Sequence, residues 1–392
     1  MKYLTLILLL FTLSGCSEKI YTEVPEELKI ETISTREVYS NTYLYDLIEI
    51  NGAELLTENY RVSTSTLGTE EIEVFYKYNK KKYVYNFKLT IKDTTLPKIL
   101  GSTIRTIQVN YQDDLCNLIM YGDNYDRNPD CTINGSYDVN ETGSYDLNYV
   151  ITDSSNNKVE HNLVLHVVKP SNSSTSTTAP RKTLDFSDVL DRYKNDRATI
   201  GIDVSKWQQN IDFEKVRAAG AEFVIIRIGV QKATNTELEL DEYYLQNIEK
   251  AKKAGLKVGV YLYSMATKKE ESVKQAQWVL EKLNGQELDL PIVFDWESWT
   301  WWNLMDLSFY DINDIADSFL DTITDNGYKA MLYGSKYYLE NIWENNKDYP
   351  VWLAHYTNET NYNGDYVMWQ LSDVGKIPGI KDTVDINILY NE

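Results

Sequence analysis

Two acids close the segment LPIVFDWESW at residues 290–299: Asp295 and Glu297. The residues before them, Pro291 to Phe294, read as a short strand buried on both faces, and positions i and i+2 of a strand share one face. Both carboxyls are therefore aimed the same way at the end of a strand otherwise kept dry. Seven other apolar runs carry polar or aromatic residues at or near their ends: Asp203, Arg227, Tyr261 with Tyr263, Tyr333, His355 with Tyr356, Trp369 with Gln370, and Asp385, which lies near the start of its run. Paired carboxyls among aromatic surfaces are what cleavage of a glycosidic bond requires. One neutral acid protonates the leaving oxygen, and one anionic group supports an oxocarbenium-like transition state. Like charge and partial burial push the pKa values apart, so both forms coexist in one pocket. Other chemistries fit less well. Only three His occur, and His161 and His166 belong to an earlier part of the chain. His355 then has no nucleophile-elbow sequence for a Ser-His-Asp triad and no partner at metal-ligand spacing, so neither metal nor cofactor is expected. The structural alternative is that the strand-end acids pair with Arg227 or cap helices. Trp296 points to the opposite face and reads as packing, whereas Trp299, Trp301 and Trp302 read either as a sugar-stacking platform or as a lid.

The elements that must position these residues are the runs themselves, at 199–205, 223–229, 257–263, 291–297, 329–334, 351–356, 366–371 and 384–390. Amphipathic stretches such as DEYYLQNIEKAKKAG, ended by Gly255, separate the early ones. Eight strands with early strand-helix alternation predict an α/β TIM-like barrel over residues 184–392, irregular where the late connections shorten. The C-terminal ends of its strands would form the site. Before it, residues 170–183 with SNSSTSTTAP read as a Ser/Thr-rich linker. Within two stretches bounded at 24–93 and 94–169, residues 28–92 and 97–168 alternate polar and apolar with period two, as in EEIEVFYKY and YDLNYVITD, the pattern of half-buried antiparallel strands. The two stretches align so that Gly68 and Gly143 correspond, which predicts two tandem all-β sandwiches in a multidomain chain. The second resembles the immunoglobulin-like repeats of bacterial surface proteins, with DTTLPKI at its entrance and the turn TDSSNN, and that resemblance implies mainly a spacer role.

The first sixteen residues, MKYLTLILLLFTLSGC, have one Lys, an apolar run too short for a bilayer, and small residues before Cys16. The ending LSGC resembles the lipobox of bacterial lipoproteins, which implies a diacylglyceryl group on Cys16 and an anchor at the outer face of the cytoplasmic membrane. The alternative is a secretory signal with an incidental Cys16. Cys116 and Cys131 remain as an even pair in an exported chain, either bridged or as two buried thiols. A formal charge of −20 and pI of about 4.7 argue against nucleic acid as a partner.

Five ordered motifs sharpen the reading: GIDVSKWQ at 201–208, FDWE at 294–297, WLAHY at 352–356, MWQLSD at 368–373 and VDIN at 384–387. Together they resemble the glycoside hydrolase family 25 lysozymes, over about residue 197 to the end. The resemblance implies cleavage of the bond between N-acetylmuramic acid and N-acetylglucosamine in peptidoglycan glycan strands. It also implies Glu297 as general acid, Asp295 beside it, Asp203 and Asp385 as further acids of the floor, and Tyr263, Tyr356 and Trp369 as walls. Tyr333, Gln370 and Arg227 join the substrate-binding set from their strand-end positions. Residues i and i+2 lie about 6.6 Å apart along a strand, between the separations of retaining and inverting enzymes. The resemblance favours a retaining, substrate-assisted route. A glycan-binding or adhesive lipoprotein that does not cut is the alternative from another class, and chitin-like polymers are the alternative substrate.

Overall fold

The computed structural model describes residues 19–170, 182–231, 237–344 and 347–390. The leader with Cys16 and linker residues 171–181 lie outside the described residues. The chain divides into two compact units, one ending at Thr94 and one beginning at Thr95. The first is built on a long antiparallel hairpin, Gly68–Tyr78 against Lys81–Lys92. Its two-residue turn places Asn79 and Lys80 at positive φ, the backbone that matches the twist of the flanking strands. Ile72, Val74 and Tyr76 face the core, while Glu71, Glu73 and Lys77 are exposed and Phe75 is half-buried, close to the predicted alternation. Strand direction is mixed, however: Ile20–Tyr21 and Thr35–Glu37 both run parallel to Lys81–Lys92. Period two records which face is buried and carries no information about the direction of the neighbour.

The second unit opens with a β module. Its four-stranded sheet runs in the order Asp130–Asn134, Gly143–Thr152, Lys158–Val168 and Ile104–Gln108, the last pair parallel. A second strand pair joins Lys98–Leu100 to Met120–Gly122. Cys116 and Cys131 are joined in a disulfide that ties the short 3-10 helix Leu115–Leu118 to the sheet edge.

The barrel follows. Its strands are β1 (Ala198–Val204), β2 (Phe223–Gln231), β3 (Lys257–Ser264), β4 (Ile292–Trp296), β5 (Ala330–Ser335), β6 (Val351–Ala354), β7 (Met368–Lys376) and β8 (Val384–Tyr390). Each of the eight apolar runs read from sequence corresponds to one of them. β1 to β7 pair in parallel, in chain order, and β8 closes the ring by lying antiparallel to both β7 and β1. The early connections carry helices, among them Tyr244–Lys253, Lys269–Leu283 and Phe309–Asp325, whereas β6 to β7 and β7 to β8 are joined without one. The result is an irregular eight-stranded barrel, not the regular (β/α)8 form: the antiparallel closing strand needs no crossover helix, and the parallel pair β6 and β7 is bridged by a loop.

Alternation along each strand divides the barrel core into two. Val224, Ile226, Ile292, Phe294 and Trp296 face outward against the helices, while Phe223, Ile225, Val293, Met331, Trp352 and Met368 fill the interior. The interior is tight at Gly201, where a Cβ would lie 2.5 Å from Phe223 Cγ. The β module is fastened to the segment that follows β4. Trp302 Nε1 donates to Tyr121 O at 3.0 Å and Asn303 Nδ2 to Ile119 O at 2.8 Å. Phe309 N donates to Asp123 O at 2.7 Å, and Arg127 grips both oxygens of Asp311 at 2.8 and 2.9 Å. Gly122 lets the rings of Phe309 and Trp302 rest on the module's backbone.

Candidate active site

Interior-facing residues of β4 run Val293, then Asp295, and the chain then leaves the strand at Glu297. The apolar plug thus lies beneath the acids. The same alternation brings Asp203 inward on β1, Tyr261 on β3, Tyr333 on β5, Gln370 on β7 and Asp385 on β8. A cavity of about 140 Å³ is lined by Asp203, Tyr261, Asp295, Glu297, Tyr333, Trp352, Tyr356, Gln370 and Asp385. All four acids read from sequence are there. Asp385 belongs despite its early place in its run because β8 is antiparallel: its start lies at the C-terminal end of the other strands, where it is paired with Asp203.

Asp203 is the most elaborately held of the four. Its Oδ2 accepts from Gln370 Nε2 at 2.9 Å and Asn387 Nδ2 at 2.8 Å. Gln370 Oε1 in turn accepts from the hydroxyls of Tyr333 and Tyr356, both at 3.0 Å. Asn387 Oδ1 accepts from Trp352 Nε1 at 2.9 Å. Each amide is therefore oriented with its N–H toward the carboxylate. Burial pushes Asp203 up to about 6, against the two amide bonds that hold it down. Burial, then the charges of Glu297 and Asp203, raises Asp295 well above the usual carboxylate range, with Arg227 opposing. Among the described residues, Asp295 Oδ1 is buried without a hydrogen-bond partner. Desolvation and then Asp203 push Asp385 up to about 9. Glu297 sits at the mouth, open to solvent on one side and crowded by protein on the others. Desolvation followed by the charge of Asp203 pushes it up to about 7. Four neighbouring carboxyls cannot all be ionised, and Asp203, with two donated amide protons, is best equipped to carry the charge.

A second cavity of about 570 Å³ adjoins the first through Glu297 and is lined by Lys206, Trp207, Arg227, Tyr263 and Trp301, among others. Tyr263 and Arg227 thus border this wider depression instead of the acid pocket. Arg227 is also committed to Asp241, at 2.7 Å from Nη2, in a buried ion pair. Trp369 is a correction. It is buried on the outer face of β7, its Nε1 donating to His355 O at 2.9 Å and its ring edge-on to Tyr193. Adjacent residues of a strand point oppositely, so Trp369 and Gln370 cannot both face the pocket, and Gln370 does. Of the tryptophans after Glu297, Trp299 and Trp302 are packed in the core and Trp301 is 58% exposed. Tyr261, read from sequence as a strand-end candidate, lines the acid pocket, whereas Trp352 and Asn387 were not singled out. Asn387 stands two residues after Asp385, so strand alternation was the signal that could have found it.

Residues 202–380 match the family model described as Glycosyl hydrolases family 25. The autolytic lysozyme of Clostridium acetobutylicum is 30% identical over 189 residues, covering 48% of this chain and 54% of that protein, so the chain spans about half its length. The uncharacterized protein YegX of Escherichia coli (strain K12) is 30% identical over 192 residues, 48% of this chain and 68% of its own. Among solved structures, the spore cortex lytic enzyme SleM of Clostridium perfringens aligns with a TM-score of 0.43 and 21% identity over 51% of this chain and 69% of that one. The family 25 glycosyl hydrolase from Bacillus anthracis aligns with a TM-score of 0.43 and 19% identity over 51% and 93%.

Proposed function

Because the chain belongs to glycosyl hydrolases family 25, we propose that its barrel is a muramidase, a hydrolase of the β-1,4 bond between N-acetylmuramic acid and N-acetylglucosamine in peptidoglycan. The observation that carries this reading is the single pocket shared by Asp203, Asp295, Glu297 and Asp385 under aromatic walls. The similarity to a protein named autolytic lysozyme supports it.

In this reading Glu297, raised and solvent-facing, is the general acid: its proton goes to the glycosidic oxygen as the bond to the anomeric carbon breaks. The 2-acetamido oxygen of the muramic residue attacks that carbon from the opposite face and forms a cyclic oxazolinium. Asp295 Oδ1, buried and without a partner, accepts the acetamido N–H and aims the group. Burial favours its neutral form in the free protein, and the arriving donor favours the carboxylate. Asp203 supplies the negative charge that the developing oxocarbenium needs. Water, deprotonated by Glu297, then opens the oxazolinium and restores the acid with net retention. Digestion of purified peptidoglycan tests both levels. New reducing ends released by the wild type and not by Glu297→Gln are expected, with the β anomer seen first by NMR. Absence of new ends overturns the hydrolase in favour of a glycan-binding protein, and the α anomer overturns the retaining route.

The same proposal extends to location. Cys16, with the lipobox-like LSGC, would carry a diacylglyceryl anchor at the outer face of the cytoplasmic membrane, and the first two β modules, of immunoglobulin-like character, would set the barrel's reach. Cys16→Ser is expected to move the protein from the membrane fraction to the medium; retention in the membrane overturns the anchor.

A further inference from the structure

The acid pocket is one end of a longer depression. Glu297 lines both it and the adjoining cavity of about 570 Å³. Thr300 and Trp301, in turn, line both that cavity and a third one of about 560 Å³. The third cavity has the segment after β4 on one side and the β module on the other, the latter through Arg105, Tyr111, Asn117 and Met120. These two sides are held at a fixed separation by the Trp302, Asn303 and Phe309 bonds to the module's backbone.

The chemistry of this third cavity is that of a carbohydrate site. Trp301 is 58% exposed at the junction and Leu304 69% exposed along the third cavity, in a segment whose neighbouring tryptophans Trp299 and Trp302 are buried. An indole left open beside a phenol offers flat apolar faces for pyranose rings, and the Arg105 guanidinium and Asn117 amide offer partners for hydroxyls. The occupant follows from adjacency: a polymeric substrate seated at the acids has room to continue past Thr300 and Trp301 into the third cavity.

We infer that the β module and residues 299–304 jointly form an accessory glycan subsite, which holds the part of the glycan strand beyond the sugars seated at the acids. The module then extends the substrate groove in addition to spacing the barrel. This rests on the hydrolase reading above, and the test separates the two.

Full-length wild type, Tyr111→Ala and Asn117→Ala are compared on long peptide-free glycan chains and on a short oligosaccharide of the same repeat, with melting measured for each. Losing one stacking or amide contact is expected to lower kcat/KM on long chains about tenfold, through KM, relative to the short substrate, with melting unchanged for the exposed Asn117→Ala and lowered for Tyr111→Ala, whose ring also packs against the module's core. Equal losses on both substrates, or none on either, overturn the subsite. Binding of the same long chains to Glu297→Gln provides the second arm: Tyr111→Ala in that background is expected to weaken it about tenfold. Should the wild type cut neither substrate while that binding difference persists, the hydrolase reading fails and the subsite stands. Binding that demands stem peptides and ignores peptide-free chains overturns the carbohydrate assignment.

Discussion

Asp203 draws its two amide protons from Gln370 and Asn387, which lie 167 and 184 residues away in sequence. Asn387→Ala removes one donor and leaves the buried Trp352 N–H without its acceptor. Asp203 should then titrate higher, moving the acid limb of the kcat/KM profile upward in pH, with about 1–3 kcal/mol of stability lost to the stranded indole. A pH-rate series and a denaturant melt check both, and an unmoved limb would show that Asp203 does not carry the catalytic charge. Glu297 gives the converse experiment. Its folded value lies near 7, above the ordinary 4.5, so between these limits the folded state keeps a proton that the unfolded state releases. The stability it contributes is full below about pH 4.5 and is lost as pH rises toward about 7. Glu297→Gln should therefore melt higher than wild type by an amount that grows from pH 5 to pH 8, while activity falls by about 10²–10⁴. A melting gap that shrinks with rising pH would mean the carboxylate is stabilised, not strained. The Asp295 and Glu297 pair was legible in sequence because one strand delivers both. Asn387 and Trp352 were not picked out, because their roles depend on which distant strands meet. Trp369 was misread for a different reason: the family resemblance implied a sugar wall, and the alternation that turns it away from Gln370 was not applied.

At the scale of elements, all eight barrel strands were visible as apolar runs, since strands buried on both faces leave an uninterrupted signature. Direction was not visible. Nothing within VDINILY distinguishes a parallel strand from the antiparallel β8, and its orientation accounts for Asp385 standing beside Asp203. The interior also depends on small residues that a pattern of apolar runs undervalues. At Gly201 an added Cβ would lie 2.5 Å from both Phe223 Cγ and Phe223 O. Phe223 cannot yield, because its ring belongs to the interior layer with Ile225 and Val293 below the acids. Gly201→Ala is therefore expected to cost about 1–3 kcal/mol by overpacking, read as a lower urea midpoint. Because Asp203 lies two residues along the same strand, kcat should fall as well; an unchanged midpoint would mean β1 shifts freely against β2.

Across the molecule, the β module from Thr95 onward was expected to act mainly as a spacer, yet it shares a packed boundary with the barrel. The residues that make that boundary, Tyr121, Gly122 and Asp123 on one side and Trp302, Asn303 and Phe309 on the other, are about 180 positions apart and carry no pattern that one sequence could reveal. The contact matters because residues 298–304 follow Glu297 directly, and at their far end Trp302 and Asn303 bond to the module while the Trp302 ring packs on Trp296 and Phe309 of the barrel. Gly122 leaves no room for a side chain at this boundary: a Cβ there would lie 2.8 Å from Phe309 Cζ and 3.0 Å from Trp302 Nε1. Gly122→Val should thus separate the faces while leaving the disulfide-tied module folded, since the bridge at Cys116 and Cys131 closes a loop worth about 3 kcal/mol on its own. Melting of the barrel should fall by several degrees, as expected for about 1–3 kcal/mol of overpacking at a boundary. Limited proteolysis should cut newly within residues 298–304, and turnover of short oligosaccharides should drop because Glu297 loses the support behind it. If the variant melts and turns over as wild type does, the boundary is not what holds the general acid in place, and the module's contribution is confined to reach.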